Sequence, residues 1–258
     1  QKRLMGTTKA NSSTSPLSMK RIGIIQPGRI GDILICLPIA KWYYDRGHEI
    51  IWPVDSSIIK NFIGYVDYVQ FIPVNFDCRD AYDKCIRNGC NHIIDVSFTI
   101  PNANKFNTDN YFNHQDEFSF DQFKYYIAGV PFEEKWKLVY NRNQEKENAL
   151  RIKLKINKPY IVIQEQSSDC NRVVKWENNE IQRVDIRPVS DSVFDWVGIL
   201  QNANQLALIE SSISNLVDQL SIIVPEQILL LKHGYYGKEL RDGRKCGTPV
   251  LRLNWKKI

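Results

Sequence analysis

The stretch from Arg21 to Val54 constrains the fold more than any other part of the chain. Residues 21–26 form a short apolar run that stops at Pro27-Gly28, the pattern of a strand buried on both faces that gives way to a loop. From residue 32 to 44, Ile33, Leu34, Leu37, Ile39, Ala40 and Tyr43 recur near helical spacing, and Gly47 supplies a stop before a second strand at 49–54. Strand, helix and strand in this order make a βαβ unit, so the two strands run parallel.

The alternation continues. A short helix is expected at 58–63, a strand at 68–72, a helix at 79–88 ended by Gly89, and a strand at 92–96. Residues 99–118 are polar and rich in Asn and read as a long loop. An aromatic helix at 120–128 closes on Gly129-Val130-Pro131, and the charged segment 141–148 reads as the neighbourhood of a linker. A second series then opens with a strand at 160–164 after Lys158-Pro159, followed by segments at 194–202, 206–209, 214–220 and 227–231. The predicted class is α/β: two Rossmann-like lobes with parallel sheets and an interlobe cleft, one over 19–145 and one over 146–258. A chain of 258 residues suits two such domains.

Residues 1–18 are polar, rich in Ser and Thr and without periodicity, and read as a disordered leader or tag remnant, with Met19 as a natural start. No run approaches the roughly 18–20 apolar residues that a membrane-spanning helix needs. The formal charge of +5 is unevenly placed. Lys2, Arg3, Lys9, Lys20 and Arg21 come before any acid, residues 232–258 are basic again, and the middle is net acidic. A basic end suits either a phosphate-bearing partner or a solvated surface. Six cysteines show no CxxC pair and no zinc spacing, so isolated thiols, no metal site and a reduced cytoplasmic setting are expected.

The loop QPGRIGDILICLP places Gly28, Arg29, Gly31 and Asp32 where open α/β sheets bind ligands, beyond the carboxyl end of a strand. The glycines allow close approach of a substrate to the backbone, and the following helix start offers N–H groups. Asp32 fits two roles on the pattern alone, a cap on that helix or a catalytic base. The absence of GxGxxG argues against dinucleotide binding, and with no YxxxK pair also against a sugar-nucleotide epimerase. In the second half, Ile209-Glu210-Ser211-Ser212-Ile213-Ser214-Asn215-Leu216 sets an acid at a strand end, hydroxyls in the turn and a helix directly after it. Such a turn donates hydrogen bonds to a diphosphate and places it on the positive end of the helix dipole, and it equally describes an ordinary capped helix.

GRIGDILICLP resembles the GDxLxxxP opening of the heptosyltransferase-like glycosyltransferases, family 9, which have the GT-B fold. The segment Leu200-Gln201-Asn202-Ala203-Asn204 running on to Leu216 resembles that family's second signature, with Glu210 in place of its Asp and Asn215 in place of its His. The resemblance covers residues 19 to about 220. It implies an inverting, metal-independent transfer of a sugar from a nucleotide-sugar donor to a saccharide or other hydroxyl acceptor, with Asp32 as general base. It further implies a donor site formed by Gln166, Ser167, Ser168, Glu210, Ser211, Ser212, Ser214 and Asn215, and Lys175, next to Trp176, or else Arg172, to neutralise the leaving diphosphate. No cofactor beyond the donor co-substrate is expected. Two other readings share these residues: a virus-type DNA glycosyltransferase whose basic tail meets phosphates, and a non-catalytic sugar-nucleotide-binding protein.

Overall fold

The structure, a computed structural model, describes residues 19–98, 113, 114, 117–168, 170–174, 180–232 and 249–258. The first sheet contains β1 (Arg21–Ile25), β2 (Glu49–Asp55), β3 (Gln70–Val74) and β4 (His92–Asp95), in the order β3-β2-β1-β4. All its pairings are parallel. The second sheet contains β5 (Tyr160–Gln164), β6 (Gln182–Asp185), β7 (Gln205–Ile209), β8 (Glu226–Leu230) and β9 (Lys256–Lys257), ordered β6-β5-β7-β8-β9 and again parallel throughout. In each sheet the chain changes direction of travel beside its first strand, so the loops after β1, β5 and β7 lie at switch points where such sheets take ligands.

Six α-helices connect the strands among the described residues: α1 (Ile30–Tyr44), α2 (Cys78–Arg87), α3 (Phe120–Ala128), α4 (Gln144–Lys153), α5 (Val197–Gln201) and α6 (Ser212–Gln219). None is long and apolar enough to cross a membrane. The expected helix at 58–63 is only a 3-10 turn, Ile59–Asn61. The strand expected at 68–72 begins two residues later, because Tyr68 and Val69 pack into the core ahead of the ladder, which opens at Gln70 opposite Ile51. The polar segment at 141–148 is largely helix. Asn143 caps α4 by accepting the N–H of Lys146, Glu145 and Glu147 occupy its first turn, and Arg151 and Lys153 its last, so end signals hold together a helix with little apolar surface. The lobe border expected at 145/146 lies within its first turn, and α4 packs on α5 and the 3-10 turn Val193–Trp196. Most of the loop expected at 99–118 lies outside the described residues.

One apolar cluster runs through both lobes, and α1 is its axis. Ile33 to Ala40 are buried without interruption, since one side of α1 packs on β2 and the other on α6 and the 3-10 turn Phe132–Trp136. A helix apolar all round needs such cover on every side. Pro38 sits inside it and has no N–H for the carbonyl four residues back, Leu34. Gln219 of α6 fills that vacancy: its Nε2 donates to Leu34 O and to Lys135 O, each at 3.1 Å. The second lobe is thereby hydrogen-bonded into the helix of the first. Gln219→Leu leaves both carbonyls buried and unpaired, and a loss of about 2 kcal/mol is expected. It should appear in urea unfolding as a lower midpoint at unchanged m-value; a changed m-value would mean that the lobes unfold separately.

Candidate active site

The loops beyond the strand ends enclose a cleft of about 1340 Å³ between the lobes. Arg29, Gly31 and Asp32 line one side; Gln166, Ser167, Ser168, Glu210, Ser211, Ser212 and Asn215 line the other. The lobes touch at its base. A Cβ built on Gly31 would stand 3.4 Å from Ser212 Cα, in van der Waals contact, so the loop before α1 and the start of α6 meet there. Gly28, Ser214 and Arg172 are not on the wall. Arg172 instead donates to the carbonyls of Leu231 and Lys232, at 2.9 and 3.0 Å, and fastens the end of β8. Lys175 and Trp176 lie outside the described residues.

Arg29 stands before α1 with φ at 64°, a left-handed conformation costing a non-glycine residue roughly 1 kcal/mol or more. It offers no side-chain cap, and neither does Asp32, so the capping role is not the one Asp32 fills. Its carboxylate Oδ1 lies 3.6 Å from Lys124 Nζ, with side-chain exposures of 18% and 2%, and it faces the cleft. Lys124 belongs to α3. It also donates to Gln26 Oε1 at 2.8 Å and to Val96 O, and its ammonium sits 4.7 Å from the centre of the Phe98 ring. A buried ammonium requires such partners. Asp32 is therefore held by a cation fixed from behind by two strand-end groups.

Lys124 was absent from the sequence expectations, yet it carried a signal. Asp121, Lys124, Tyr125 and Ala128 follow the i, i+3, i+4, i+7 pattern of a buried helical stripe. Charges on such a stripe have to be paired, and Asp121 finds Lys135 at 2.6 Å with both side chains fully buried. Cys36 lies in the same charged surroundings. Burial pushes its thiol up to about 12, outweighing the opposite pull of Lys124, so it stays protonated near neutral pH and is no nucleophile.

Across the cleft, Ser211 is the N-cap of α6. Its Oγ accepts from Ile213 N and donates to Gln164 Oε1 at 2.7 Å, tying the end of β7 to the end of β5. Ser214 completes a capping box: Oγ accepts from Ser211 N at 2.9 Å and donates to Ser211 O at 3.0 Å. These two hydroxyls are thus structural first. Ser212 differs, for neither its N–H nor its hydroxyl meets a partner among the described residues, and both belong to the cleft wall. Asn215, 6% exposed, donates Nδ2 to Ser211 O at 2.9 Å, whereas its Oδ1 is buried with no hydrogen-bond partner among the described residues. An orphaned acceptor on the wall of a cleft is costly unless a ligand donates to it. Glu210 receives the N–H of Lys232 on Oε2, and Ser167 holds a tight turn through Cys170, accepting its N–H and donating to its carbonyl. Arg187 and Lys232 add cationic side chains to this wall.

No family model matches the sequence, and no curated protein does. Among solved structures, the iron-containing dodecameric heptosyltransferase TibC in complex with ADP-D-β-D-heptose is 16% identical over 90% of this chain and 61% of that one, with a TM-score of 0.52. The family 9 glycosyltransferase from Veillonella parvula is 9% identical, over 82% and 80% of the two chains, with a TM-score of 0.46. WaaC, an E. coli heptosyltransferase with ADP, is 13% identical over 82% and 86%, with a TM-score of 0.42. The chain spans only 58% of a second TibC structure, from enterotoxigenic E. coli. At such identities the similarity speaks for architecture: this is a two-lobed α/β chain with the GT-B fold of the heptosyltransferase-like glycosyltransferases.

Proposed function

We propose that this chain is a glycosyltransferase that moves a sugar from a nucleotide-sugar donor to a hydroxyl acceptor, by single displacement with inversion and without a metal. The observation that carries the reading is the meeting of a carboxylate and a helix N-terminus in one cleft: Asp32, held by Lys124, faces Ser212 and the start of α6 across the contact made at Gly31. In this scheme Asp32 takes the proton of the acceptor hydroxyl while its oxygen forms a bond to the anomeric carbon. The bond from that carbon to the diphosphate oxygen breaks, and the electron pair leaves with the nucleoside diphosphate. The N–H and hydroxyl of Ser212, the dipole of α6 and the cations Arg187 and Lys232 stabilise the charge that develops there. Asn215 Oδ1 accepts from a hydroxyl of the donor.

TibC is described as iron-containing. Among the described residues of this chain, no group of three or more His, Cys, Asp or Glu side chains is placed to hold a metal ion. In the proposed scheme the positive charge is assigned to side chains and a helix terminus. A cytoplasmic location belongs to the same proposal, since that is where nucleotide-sugars and reduced thiols occur together.

The test is a thermal-shift screen with UDP-, GDP-, ADP-, CMP- and TDP-sugars. One nucleotide should raise the melting temperature, as any ligand specific to the folded state does. Ser212→Ala, which keeps the N–H and removes the hydroxyl, should weaken that binding about tenfold or more, the weight of one hydrogen bond to a charged group. No response to any nucleotide would sink the donor reading. Binding without transfer or donor hydrolysis would leave a sugar-nucleotide-binding protein.

A further inference from the structure

Around the loop that carries Asp32, the wall of the first lobe is aromatic where an anion-binding wall would be cationic. Phe76 follows β3 and is 40% exposed, with its exposed part lining the cleft and no ring partner among the described residues. A Cβ on Gly28 would fall 1.9 Å from its Cε2, so the ring lies on the loop backbone in the space that a side chain at position 28 would fill. Phe98, after β4, and Phe120, at the start of α3, line the same cleft. Phe98 is linked to Asp32 through Lys124, whose ammonium lies over the ring. Two of these rings thus flank the candidate base, one on the strand-end loop before it and one against the cation that holds it.

The charges on this wall leave little for an anion. Lys60 pairs with Asp191 across the cleft at 2.8 Å, and Lys124 is buried against Asp32, Gln26 and Val96. Asp55 adds a carboxylate, engaged by the N–H and hydroxyl of Ser57. Arg29 alone among the described cations of this wall has no polar side-chain partner. A phosphorylated acceptor would bring two or more negative charges into this space and meet one free guanidinium together with the carboxylates of Asp32 and Asp55. A pyranose ring suits it better: its C–H face lies on an aromatic ring while its rim of hydroxyls donates to carboxylates.

We infer that the acceptor is a neutral saccharide whose ring stacks on Phe76, next to Phe98 and Phe120, with one hydroxyl presented to Asp32. The inference rests on the transferase reading for the role of Asp32, and the binding site itself can be tested without it.

The experiment is saturation-transfer difference NMR on the full chain, with and without the nucleotide selected by thermal shift. The probes are methyl hexosides and neutral disaccharides, their 6-phosphates, and a single-stranded and a duplex DNA oligonucleotide. Neutral saccharides should bind at least as well as their phosphates. Phe76→Ala should weaken them about tenfold at unchanged nucleotide affinity, and Phe76→Tyr should keep them, which separates stacking from a folding defect. Phosphates binding tenfold tighter than neutral sugars, or DNA displacing them, would overturn the inference. So would nucleotide binding with no saccharide signal, an outcome that leaves the donor reading intact. Saccharide binding that depends on Phe76 in the absence of any nucleotide response upholds the site and removes the donor reading instead.

Discussion

Asp32→Asn is expected to lower the rate of sugar transfer about 10²–10⁴-fold, the usual weight of a positioned general base, while nucleotide affinity changes little. The reason is spatial. Asp32 sits on α1 in the first lobe, and the groups assigned to the diphosphate sit at the start of α6 and just after β6 and β8 in the second. The amide keeps the shape of the carboxylate and its contact with Lys124 but cannot take up a proton. Steady-state kinetics with the selected nucleotide-sugar, read beside nucleotide affinity by calorimetry, decides the matter: a loss that appears in affinity instead of turnover would make Asp32 a binding group. Lys124→Met belongs in the same series as the variant of a positioning residue. It removes the buried cation 3.6 Å from Asp32, so turnover should fall with little change in donor KM, and Lys124→Arg should restore part of it.

The second large effect lies away from the chemistry. Lys135→Met leaves Asp121 as a fully buried carboxylate without its cation, and breaking such a pair from one side costs about 3–5 kcal/mol. In a chain of this size each kcal/mol lowers the melting temperature by about 2–4 °C, so a fall of about 10 °C is expected by calorimetry. The pair also anchors the C-terminal segment to the first lobe, since Lys135 donates to Val250 O and Asp121 accepts from Val250 N at 3.0 Å. Further along, Asp218 of α6 accepts from the N–H groups of Arg252 and Leu253 and from Trp255 Nε1. The single substitution should therefore also speed proteolysis near residue 250. Replacing both partners, Asp121→Leu with Lys135→Met, should recover part of the loss, because no lone charge then remains. A single-variant loss below about 1 kcal/mol would show that water reaches the pair.

The continuous core through α1 bears on how such a molecule works. Two-lobed proteins move at their seam unless the interface is large and apolar. Here α1 is shared between the lobes, Gln219 bonds into it, Ser192 donates to Asn61 O at 2.6 Å, and Phe194 stacks on Tyr65 and Tyr140.

Several features of this protein were decided by the sequence. Short apolar runs that alternate with segments of helical spacing read as buried parallel strands. That logic placed β1, β4, β5 and β7 within a residue or two, and α3 at its observed bounds, where Ser119 and Gln122 form a capping box and Gly129 takes the left-handed stop. The loop from Gly28 to Asp32 and the turn from Glu210 to Asn215 were placed between a strand and a helix for the same reason, while the pattern left capping and ligand binding both open. The tertiary structure decided which of those groups remain available. Ser211 and Ser214 read like Ser212 in sequence, but capping occupies the first two and leaves the third open to the cleft. Asp32 could cap or react until its distance to Lys124, 92 residues away in the chain, settled its surroundings. The rings of Phe76, Phe98 and Phe120 are separated by long stretches of chain and share a wall only because β3 and β4 end, and α3 begins, on the same side. Local pattern fixes which backbone groups need partners, whereas the partner of a buried charge or the company of an exposed ring is a long-range contact, and no local periodicity encodes it.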